Sequence, residues 1–275
     1  MTELVLLKLG GSVITDKNQP FTAREKVIRR LGQEIRQAVD SQPELRLILG
    51  HGSGSFGHTV AQRYRTHEGA FQENSWQGFA ETAMAAARLN RLVTDLLSQE
   101  GVPVVSFQPS ASARCRRGDL IHLDIEPMKL VLEAGLFPVV YGDVALDETK
   151  GFTIISTEQI FDYITCALHP SRIVLVGIVD GVYDADPLTH PDAMHYREIT
   201  PRNWHQVQAR LGGSHATDVT GGMLSKVHSM MQLALAHPAL RIRLVSGEIP
   251  GRVAAVLSGN QGDVGTLICR HSPQP

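Results

Sequence analysis

Glycine-containing turns beside lysines are the clearest chemical feature of this sequence. In the first of them, Lys8 is followed by Gly10, Gly11 and Ser12. Glycines let backbone N–H groups approach an anion closely, and a lysine adds a positive charge, so this turn could hold a phosphate although it lacks the Walker spacing. An ordinary turn at the end of a strand, with a solvated lysine, explains the same residues.

A second glycine loop covers residues 51–58 and reads His-Gly-Ser-Gly-Ser-Phe-Gly-His. Its glycines satisfy the G-x-G-x-x-G pattern of dinucleotide sites. Such a site also requires a helix that begins at the glycines and an acidic residue that ends the next strand, and the polar stretch through Gln77 predicts neither. The loop amides could still bind a phosphate, and His58 could add a hydrogen bond or a positive charge. A structural role for His58 is the alternative.

Acidic turns and one further lysine follow in the second half of the chain. A hairpin-like excursion leaves the strand that ends at Tyr141, carries Asp143 and Asp147 and returns at Glu158; an acidic turn covers residues 179–187. Carboxylates at strand ends can orient lysines or hold a metal ion, although they are also common turn formers. Residues 218–226 place two glycines before a helix with Lys226 in its first turns, where the helix N-terminus and the lysine both favour phosphate.

The elements that must position these residues predict an α/β fold. Short runs rich in Val, Ile and Leu are typical of strands buried on both faces, as in a parallel sheet, and amphipathic stretches between them predict helices. This alternation predicts a mainly parallel sheet, with loops over residues 187–192 and 211–220. The predicted strands are Leu4–Leu9, Leu45–Leu49, Val102–Phe107, Pro138–Tyr141, Arg172–Val176 and Ile242–Val245, and the predicted helices are Ala23–Val39, Gly78–Glu100, Glu126–Ala134 and Ser225–Ala236.

Composition excludes several classes of protein. The 275 residues include 26 Lys and Arg against 28 Asp and Glu, a net charge of −2, and 43% are hydrophobic. These values exclude a disordered chain, a collagen-like fibre and a polybasic nucleic-acid binder. The three cysteines lie far apart without a C-x-x-C motif, which argues against a disulfide framework or a structural zinc site. No apolar run reaches the length of a membrane span and no basic leader is present, so we expect a cytoplasmic protein without nucleic-acid or membrane partners.

The order of the motifs resembles the amino acid kinase superfamily and, within it, the isopentenyl phosphate kinases. The chain carries K-x-G-G-S at its start, a glycine loop that ends in His58, a G-D-V turn, a V-D-G-V-Y-x-x-D-P turn and a late G-G-M-x-x-K helix. The resemblance runs from Leu4 to about Ile268. It implies a three-layer αβα sandwich, a single domain over residues 1–275 and a homodimer. The acceptor would bind over residues 1–170 and ATP over residues 171–270.

The resemblance also implies a reaction and a set of site residues. The reaction is the ATP-dependent phosphorylation of isopentenyl phosphate to isopentenyl diphosphate, with ATP and Mg²⁺ as cofactors and a small-molecule acceptor as partner. The implied catalytic residues are Lys8, Lys17, His58, Glu158 and Lys226; the implied ATP-binding residues are Lys8, Gly10, Gly11, Ser12, Gly54, Asp180, Tyr183, Asp186, Gly222 and Lys226; the implied acceptor-binding residues are Gly52, Ser53, Gly54, His58 and Thr157.

Three positions depart from the family pattern. Ser53 replaces a glycine of G-G-G-S-F-G-H, Glu158 replaces the aspartate of a strand-end S-G-D, and Gly177-Ile178 replaces T-D before the V-D-G-V-Y turn. The change at Glu158 concerns the geometry around the lysines. The change at Gly177-Ile178 concerns which nucleotide the protein prefers. An isoprenoid tail would need an apolar pocket, for which the helix over residues 78–100 offers Phe79, Met84 and Leu89, which are also ordinary core residues.

Other functions remain open at this point. A kinase for another phosphate or phosphonate, such as fosfomycin, could use the same loop. The family places a histidine like His58 in members that phosphorylate a phosphate, which disfavours a carboxylate kinase. A non-catalytic nucleotide-binding sensor is disfavoured by the retained lysines, although Glu158 leaves it open. A dinucleotide oxidoreductase is the remaining alternative.

Overall fold

Helices and strands alternate along most of the chain. The computed structural model describes residues 3–71, 73–212, 222–259 and 264–272. The strands are β1 (Glu3–Leu9), β2 (Leu45–His51), β3 (Val104–Ser106), β4 (Arg114–Arg116), β5 (Asp119–His122), β6 (Phe137–Tyr141), β7 (Asp143–Asp147), β8 (Gly151–Ile155), β9 (Arg172–Gly177), β10 (Val182–Tyr183), β11 (His195–Tyr196), β12 (Glu198–Ile199), β13 (Arg241–Ser246) and β14 (Thr266–Ile268). The helices are α1 (Gly11–Ile14), α2 (Glu25–Ser41), α3 (Gly54–Tyr64), α4 (Ser75–Gln99), α5 (Glu126–Glu133), α6 (Thr157–Leu168), α7 (Trp204–Gly212), α8 (Gly222–Ala236) and α9 (Arg252–Leu257).

All six predicted strands and all four predicted helices are present, with ends that shift by a few residues. The loop predicted over residues 187–192 is confirmed. The loop predicted over residues 211–220 was wrong at Leu211 and Gly212, which belong to α7; residues 213–220 lie outside the described part of the chain. None of the described helices has both the length and the apolar character needed to span a membrane.

An eight-stranded sheet forms the middle of the molecule, in the order β12-β14-β13-β9-β1-β2-β6-β3. All its pairings are parallel except that between β13 and β14. The prediction of a mainly parallel sheet is therefore confirmed. Because β3, β6, β2, β1, β9 and β13 run in the same direction, the loops that follow them meet at one edge of the sheet.

Helices cover both faces of this sheet. On β1, Val5 and Leu7 belong to a buried core that includes residues of α2, α4 and α9, whereas Leu6 belongs to a second core with residues of α6 and α8. Successive side chains of a strand point to opposite faces, so a strand that is apolar at successive positions requires a helical layer on each side. This arrangement is the expected three-layer αβα sandwich.

A smaller sheet in the order β5-β4-β7-β8 lies beside the large one. Strands β7 and β8 pair antiparallel, so the predicted hairpin-like excursion is confirmed. The expectation that no helix begins at the glycine loop was wrong, because α3 begins at Gly54. Helix α3 was missed because few of its residues are apolar. Phe56 and Val60 suffice to anchor its buried side.

Candidate active site

Lys8 lies where the ends of the central strands meet. It is next to the last residue of β1, opposite Gly50 of β2 and Leu175 of β9. The neighbouring strands therefore surround its backbone, and its side chain is only 11% exposed. A lysine ammonium is costly to bury without a partner of opposite charge.

Glu158 provides that partner. Its carboxylate forms an ion pair with the Lys8 ammonium and is 16% exposed. Burial alone would raise the pKa of Glu158, but Lys8 and Lys226 lower it below its ordinary value, so the carboxylate is ionised. Burial lowers the pKa of Lys8, Glu158 opposes that shift and Lys226 adds to it. Lys8 thus pairs directly with Glu158, and the charge of Lys226 acts on both groups, so positive charge exceeds negative charge here by one.

The start of α6 fixes the position of Glu158. The Ser156 hydroxyl accepts a hydrogen bond from the Gln159 N–H at 3.1 Å, and the Gln159 side chain accepts one from the Ser156 N–H at 2.9 Å. This reciprocal pair is a capping box, and its S-x-x-Q spacing is a helix-start signal in the sequence, although α6 was not among the predicted helices. Glu158 lies in the first helical turn, where the helix dipole stabilises a negative charge. Although it replaces an aspartate of the family pattern, it still reaches Lys8.

The two glycine turns contact each other through their backbones. A Cβ atom on Gly11 would lie 2.6 Å from the Gly54 nitrogen, and one on Gly52 would lie 2.9 Å from the Gly11 nitrogen. The buried Thr15 hydroxyl joins the turns, since it donates to the Gly11 carbonyl at 2.7 Å and accepts from the Ser55 N–H at 3.0 Å. Thr15 was not among the predicted site residues, although it lies in the N-terminal segment that carries the first glycine turn.

Only one position of the second loop requires glycine for its backbone angle. Gly54 has φ +48°, and a Cβ there would lie 2.2 Å from the Thr15 hydroxyl oxygen. Ser53 has φ −73° and ψ −12°, an ordinary right-handed conformation, so the serine that departs from the family pattern causes no backbone strain. Its side chain lies over Gly57, where a Cβ would approach the Ser53 hydroxyl at 2.5 Å.

The other predicted catalytic and acceptor residues differ in their surroundings. His58 is exposed on α3, and Lys17 is exposed in the turn between the bridged residues Thr15 and Ala23. Thr157 is 1% exposed, and its hydroxyl donates to the His51 carbonyl at 2.7 Å. This geometry favours a structural role for the Thr157 hydroxyl.

The other predicted nucleotide-binding residues lie in three places: after β1, after β9 and at the start of α8. Asp180 accepts a hydrogen bond from the Ser246 N–H at 3.0 Å and pairs with Arg252 at 2.9 Å, so its carboxylate holds two neighbouring loops together. Tyr183 stacks on the His195 ring at a centroid distance of 4.8 Å. The remaining predicted residues are Asp186, which is exposed and accepts from the Leu188 N–H; Gly222, the first residue of α8; Gly10, whose N–H donates to the Val176 carbonyl; and Ser12, which is half-buried in α1.

The apolar candidates on α4 do not form one pocket. Leu89 is fully buried in the core, whereas Met84 is 63% exposed. Phe79 packs against Trp76 and Phe152 at centroid distances of 5.6 and 5.1 Å. Of the three candidates, Phe79 alone belongs to this aromatic group.

Comparison with known proteins identifies the family of this chain. A model of the amino acid kinase family matches residues 3–244. The chain belongs to the amino acid kinase family. It is similar to the isopentenyl phosphate kinase of Methanothermobacter thermautotrophicus, with 38% identity over 266 residues that cover 94% of this chain and 96% of the relative. The isopentenyl phosphate kinase of Methanocaldococcus jannaschii is 36% identical over 231 residues, 82% of this chain and 85% of the relative.

A solved structure supports the same assignment. An isopentenyl phosphate kinase crystal structure superposes with a TM-score of 0.81 and 35% sequence identity, over 96% of this chain and 99% of that one. The resemblance to the amino acid kinases and the αβα fold that it implied are therefore confirmed. In this member of the amino acid kinase family, the site residues can be tested one by one.

The first test concerns the contact between the glycine turns. Gly54→Ala combines a left-handed backbone angle with a close approach to Thr15, so we expect it to lower the free energy of unfolding by about 2–4 kcal/mol. Gly135→Ala is the control, because Gly135 has φ +76° but a Cβ added there would meet no atom within 4 Å, and it should cost only about 1–2 kcal/mol. Urea denaturation measures both values. Equal losses in the two variants would contradict the close contact.

The second test concerns the pH dependence of the buried ion pair. Because the folded pKa of Glu158 is lowered, its charge stabilises the fold above the unfolded value of 4.5, and this contribution disappears as the pH falls through the folded pKa. Glu158→Gln should therefore destabilise the protein at pH 7 by about 1–3 kcal/mol, and the difference from wild type should shrink below pH 4.5.

The control for this test is an exposed lysine–glutamate pair. Glu126 pairs with Lys129 on α5 and is 72% exposed, so Glu126→Gln should change stability little at any pH. Urea denaturation of wild type and both variants between pH 3.5 and pH 7 gives the comparison. A Glu158→Gln deficit that stays constant across this range would show that the carboxylate charge does not stabilise the site.

Proposed function

We propose that this amino acid kinase transfers the γ-phosphoryl group of ATP to the phosphate of isopentenyl phosphate. One P–O bond forms at an acceptor phosphate oxygen, the bond between the β- and γ-phosphates of ATP breaks, and the products are isopentenyl diphosphate and ADP. The single observation that carries the proposal is the cluster of Lys8, Glu158 and Lys226 beside two glycine turns that contact each other. The choice of isopentenyl phosphate as the acceptor rests on the similarity of this chain to isopentenyl phosphate kinases.

The charge balance of the cluster suits phosphoryl transfer. Glu158 offsets one of the two lysine charges and holds Lys8 in place. The remaining positive charge would face the transferring group, whose transition state spreads negative charge over its equatorial oxygens. Fixed cations in a partly buried site stabilise that charge more than they stabilise the reactants. We propose that Lys17 is a further cation at the transferring phosphoryl group, because it lies in an exposed turn that follows the first glycine turn.

The acceptor side needs orientation more than it needs a base. A phosphate monoester already carries nucleophilic oxygens, so no side chain has to remove a strongly held proton. We propose that Gly52, Ser53 and Gly54 bind the acceptor phosphate and that His58 orients the attacking oxygen. The acceptor would lie over residues 1–170. ATP would lie over residues 171–270, near Asp180, Tyr183 and Gly222.

Mg²⁺ would enter with the nucleotide. Among the residues that the structure describes, no three His, Cys, Asp or Glu side chains cluster so as to hold a metal ion. The triphosphate oxygens of ATP are themselves preferred Mg²⁺ ligands. The cytoplasmic location expected from the sequence, and the single domain and homodimer implied by the family resemblance, stay predictions.

The lysine cluster gives a direct test of the chemistry. Lys8→Ala and Lys226→Ala should each lower kcat by roughly 10²–10³, the usual effect of removing one group that stabilises transition-state charge. Lys26→Ala, an exposed lysine on α2, is the control and should keep wild-type turnover. A coupled assay of ADP release measures kcat, with circular dichroism to check the fold. Near-normal turnover in Lys8→Ala would show that Lys8 does not take part in catalysis.

The acceptor is tested by a substrate panel. We expect ADP release with isopentenyl phosphate, and none above background with fosfomycin or glutamate. Dimethylallyl phosphate joins the panel to measure the preference between prenyl phosphates. Turnover of fosfomycin without turnover of isopentenyl phosphate would replace the proposed acceptor with a phosphonate.

Substitutions at His58 test whether acceptor binding can be weakened without a change in ATP binding. His58→Ala should lower kcat/KM for the acceptor about ten- to a hundredfold, because a hydrogen bond to a charged group is lost, while the KM of ATP changes little. His58→Gln keeps a donor and should lose less. The control is His205→Ala, an exposed histidine on another helix, α7. Wild-type kinetics in His58→Ala would defeat the assignment of a phosphate acceptor.

A further inference from the structure

A chain of buried polar side chains lies beneath the glycine loop that begins at Gly52. His51, the last residue of β2, is 1% exposed, and Asn90 of α4 is 4% exposed. The His51 Nδ1 lies 3.1 Å from the Gly52 carbonyl oxygen, and its Nε2 lies 3.2 Å from the Asn90 side-chain amide oxygen. The Asn90 amide nitrogen lies within hydrogen-bond distance of the hydroxyl of Ser106, a half-buried residue at the end of β3. None of these side chains has a role in the function proposed above.

The surrounding contacts fix the orientation of the His51 ring. It stacks on Tyr141 with a centroid distance of 5.5 Å and an interplanar angle of 8°. The His51 carbonyl accepts from the Thr157 hydroxyl at 2.7 Å and from the Gly142 N–H at 3.0 Å. Four elements therefore meet at this residue, and the ring has little freedom to turn.

The partners of the ring determine which nitrogen carries its proton. A carbonyl oxygen only accepts hydrogen bonds, so Nδ1 must donate to Gly52. Burial lowers the pKa of His51, and the charge of Lys8 adds to that shift, so the ring is neutral at neutral pH. The unprotonated Nε2 needs a donor, whereas the Asn90 amide oxygen lies beside it; a half-turn of that amide exchanges its oxygen and nitrogen. The Asn90 nitrogen then donates to Nε2 and the Asn90 oxygen accepts from the Ser106 hydroxyl, so each of the three side chains has a hydrogen-bond partner.

The bond to Gly52 also sets the direction of the next N–H. The Gly52 carbonyl and the Ser53 N–H belong to one planar trans peptide and point in opposite directions. Because the carbonyl points to the buried ring, the Ser53 N–H points away from that ring. Within the described part of the chain, the Ser53 N–H has no hydrogen-bond acceptor. The Gly52 N–H and the Ser55 N–H, by contrast, are held by the Leu9 carbonyl at 3.1 Å and by Thr15 at 3.0 Å.

We propose that His51 is a positioning residue for the acceptor phosphate: its Nδ1–H holds the Gly52 carbonyl and thereby aims the Ser53 N–H at the phosphate. This inference rests on the proposed function, because it assigns the loop to the acceptor. His51 does not touch the substrate and moves no proton in the reaction. Its contribution is a loop that is already in the binding conformation before the acceptor arrives.

Three substitutions at His51 separate the bond to Gly52 from the packing of the ring. The nitrogen of an asparagine side chain occupies about the position of Nδ1, and that of glutamine occupies about the position of Nε2. His51→Asn therefore keeps the donor to Gly52, His51→Gln keeps only the contact with Asn90, and His51→Phe keeps only the stacking on Tyr141. Thr165→Val is the control, a buried polar-to-apolar exchange on α6 at a hydroxyl without a partner among the described residues.

We expect the acceptor kinetics to follow the bond to Gly52 rather than the size of the side chain. His51→Gln and His51→Phe should lower kcat/KM for isopentenyl phosphate about two- to tenfold, mainly through KM, because one hydrogen bond is lost. His51→Asn should stay within about twofold of wild type although it leaves the largest void and lowers Tm the most. The KM of ATP should change little in all three variants, and Thr165→Val should leave both KM values unchanged.

Amide hydrogen exchange of Gly52 and Ser55 in the substrate-free protein provides a second readout. Exchange should be faster in His51→Gln and His51→Phe and near wild type in His51→Asn. Acceptor KM values that follow Tm, with His51→Asn the worst, would overturn the proposal, as would unchanged exchange in His51→Gln and His51→Phe. A wild-type protein that does not use isopentenyl phosphate but shows the expected order of exchange would overturn the proposed function and still support the role of His51 in holding the loop.

Discussion

The buried ion pair of Lys8 and Glu158 constrains the rest of this structure. A central strand of a parallel sheet delivers a lysine into a space where water reaches only a tenth of its side chain. A lysine buried to this extent stays charged only if a carboxylate pairs with it. That carboxylate must be held in position by its own secondary-structure element. The capping box at Ser156 and Gln159 provides that element, since it fixes where α6 begins and which residue occupies the first turn.

Close backbone contact is the second constraint on the site. Gly11, Gly52 and Gly54 allow the turns after β1 and β2 to touch, and Thr15 joins them. If the first turn binds ATP and the second binds the acceptor, this contact brings the two phosphates into reach of each other. Two phosphates repel each other, so the turns that bind them must be lined by amides and lysines rather than by carboxylates. The negative charge of Glu158, the carboxylate in this cluster, is compensated by the positive charges of Lys8 and Lys226.

A chain of polar side chains beneath the second glycine turn extends the same principle. Hydrogen bonds join the Gly52 carbonyl to His51, His51 to Asn90 and Asn90 to Ser106. Buried polar chains of this kind specify one geometry, because any other arrangement leaves a group without a partner. The cost of burying these groups is offset where the direction of a loop has to be fixed, as the proposed binding of a phosphate by this turn would require.

The sequence by itself determined the class of fold, the main strands and helices, and the family, because each depends on local patterns. Apolar runs such as Leu45–Leu49 predict buried strands wherever they lie, and the turn after Lys8 is recognisable from its glycines. Only the tertiary structure decided which residues meet. Lys8 and Glu158 are 150 positions apart. No spacing in the sequence reveals that Thr15 bonds to Ser55 or that His51 meets Asn90. On α4, Leu89 and Met84 are both apolar residues of one helix, yet one is buried and the other exposed, because packing against the sheet decides which side of a helix is covered. Local periodicity encodes secondary structure, whereas burial, ion pairing and loop contact arise from elements that are distant in sequence and meet only after folding.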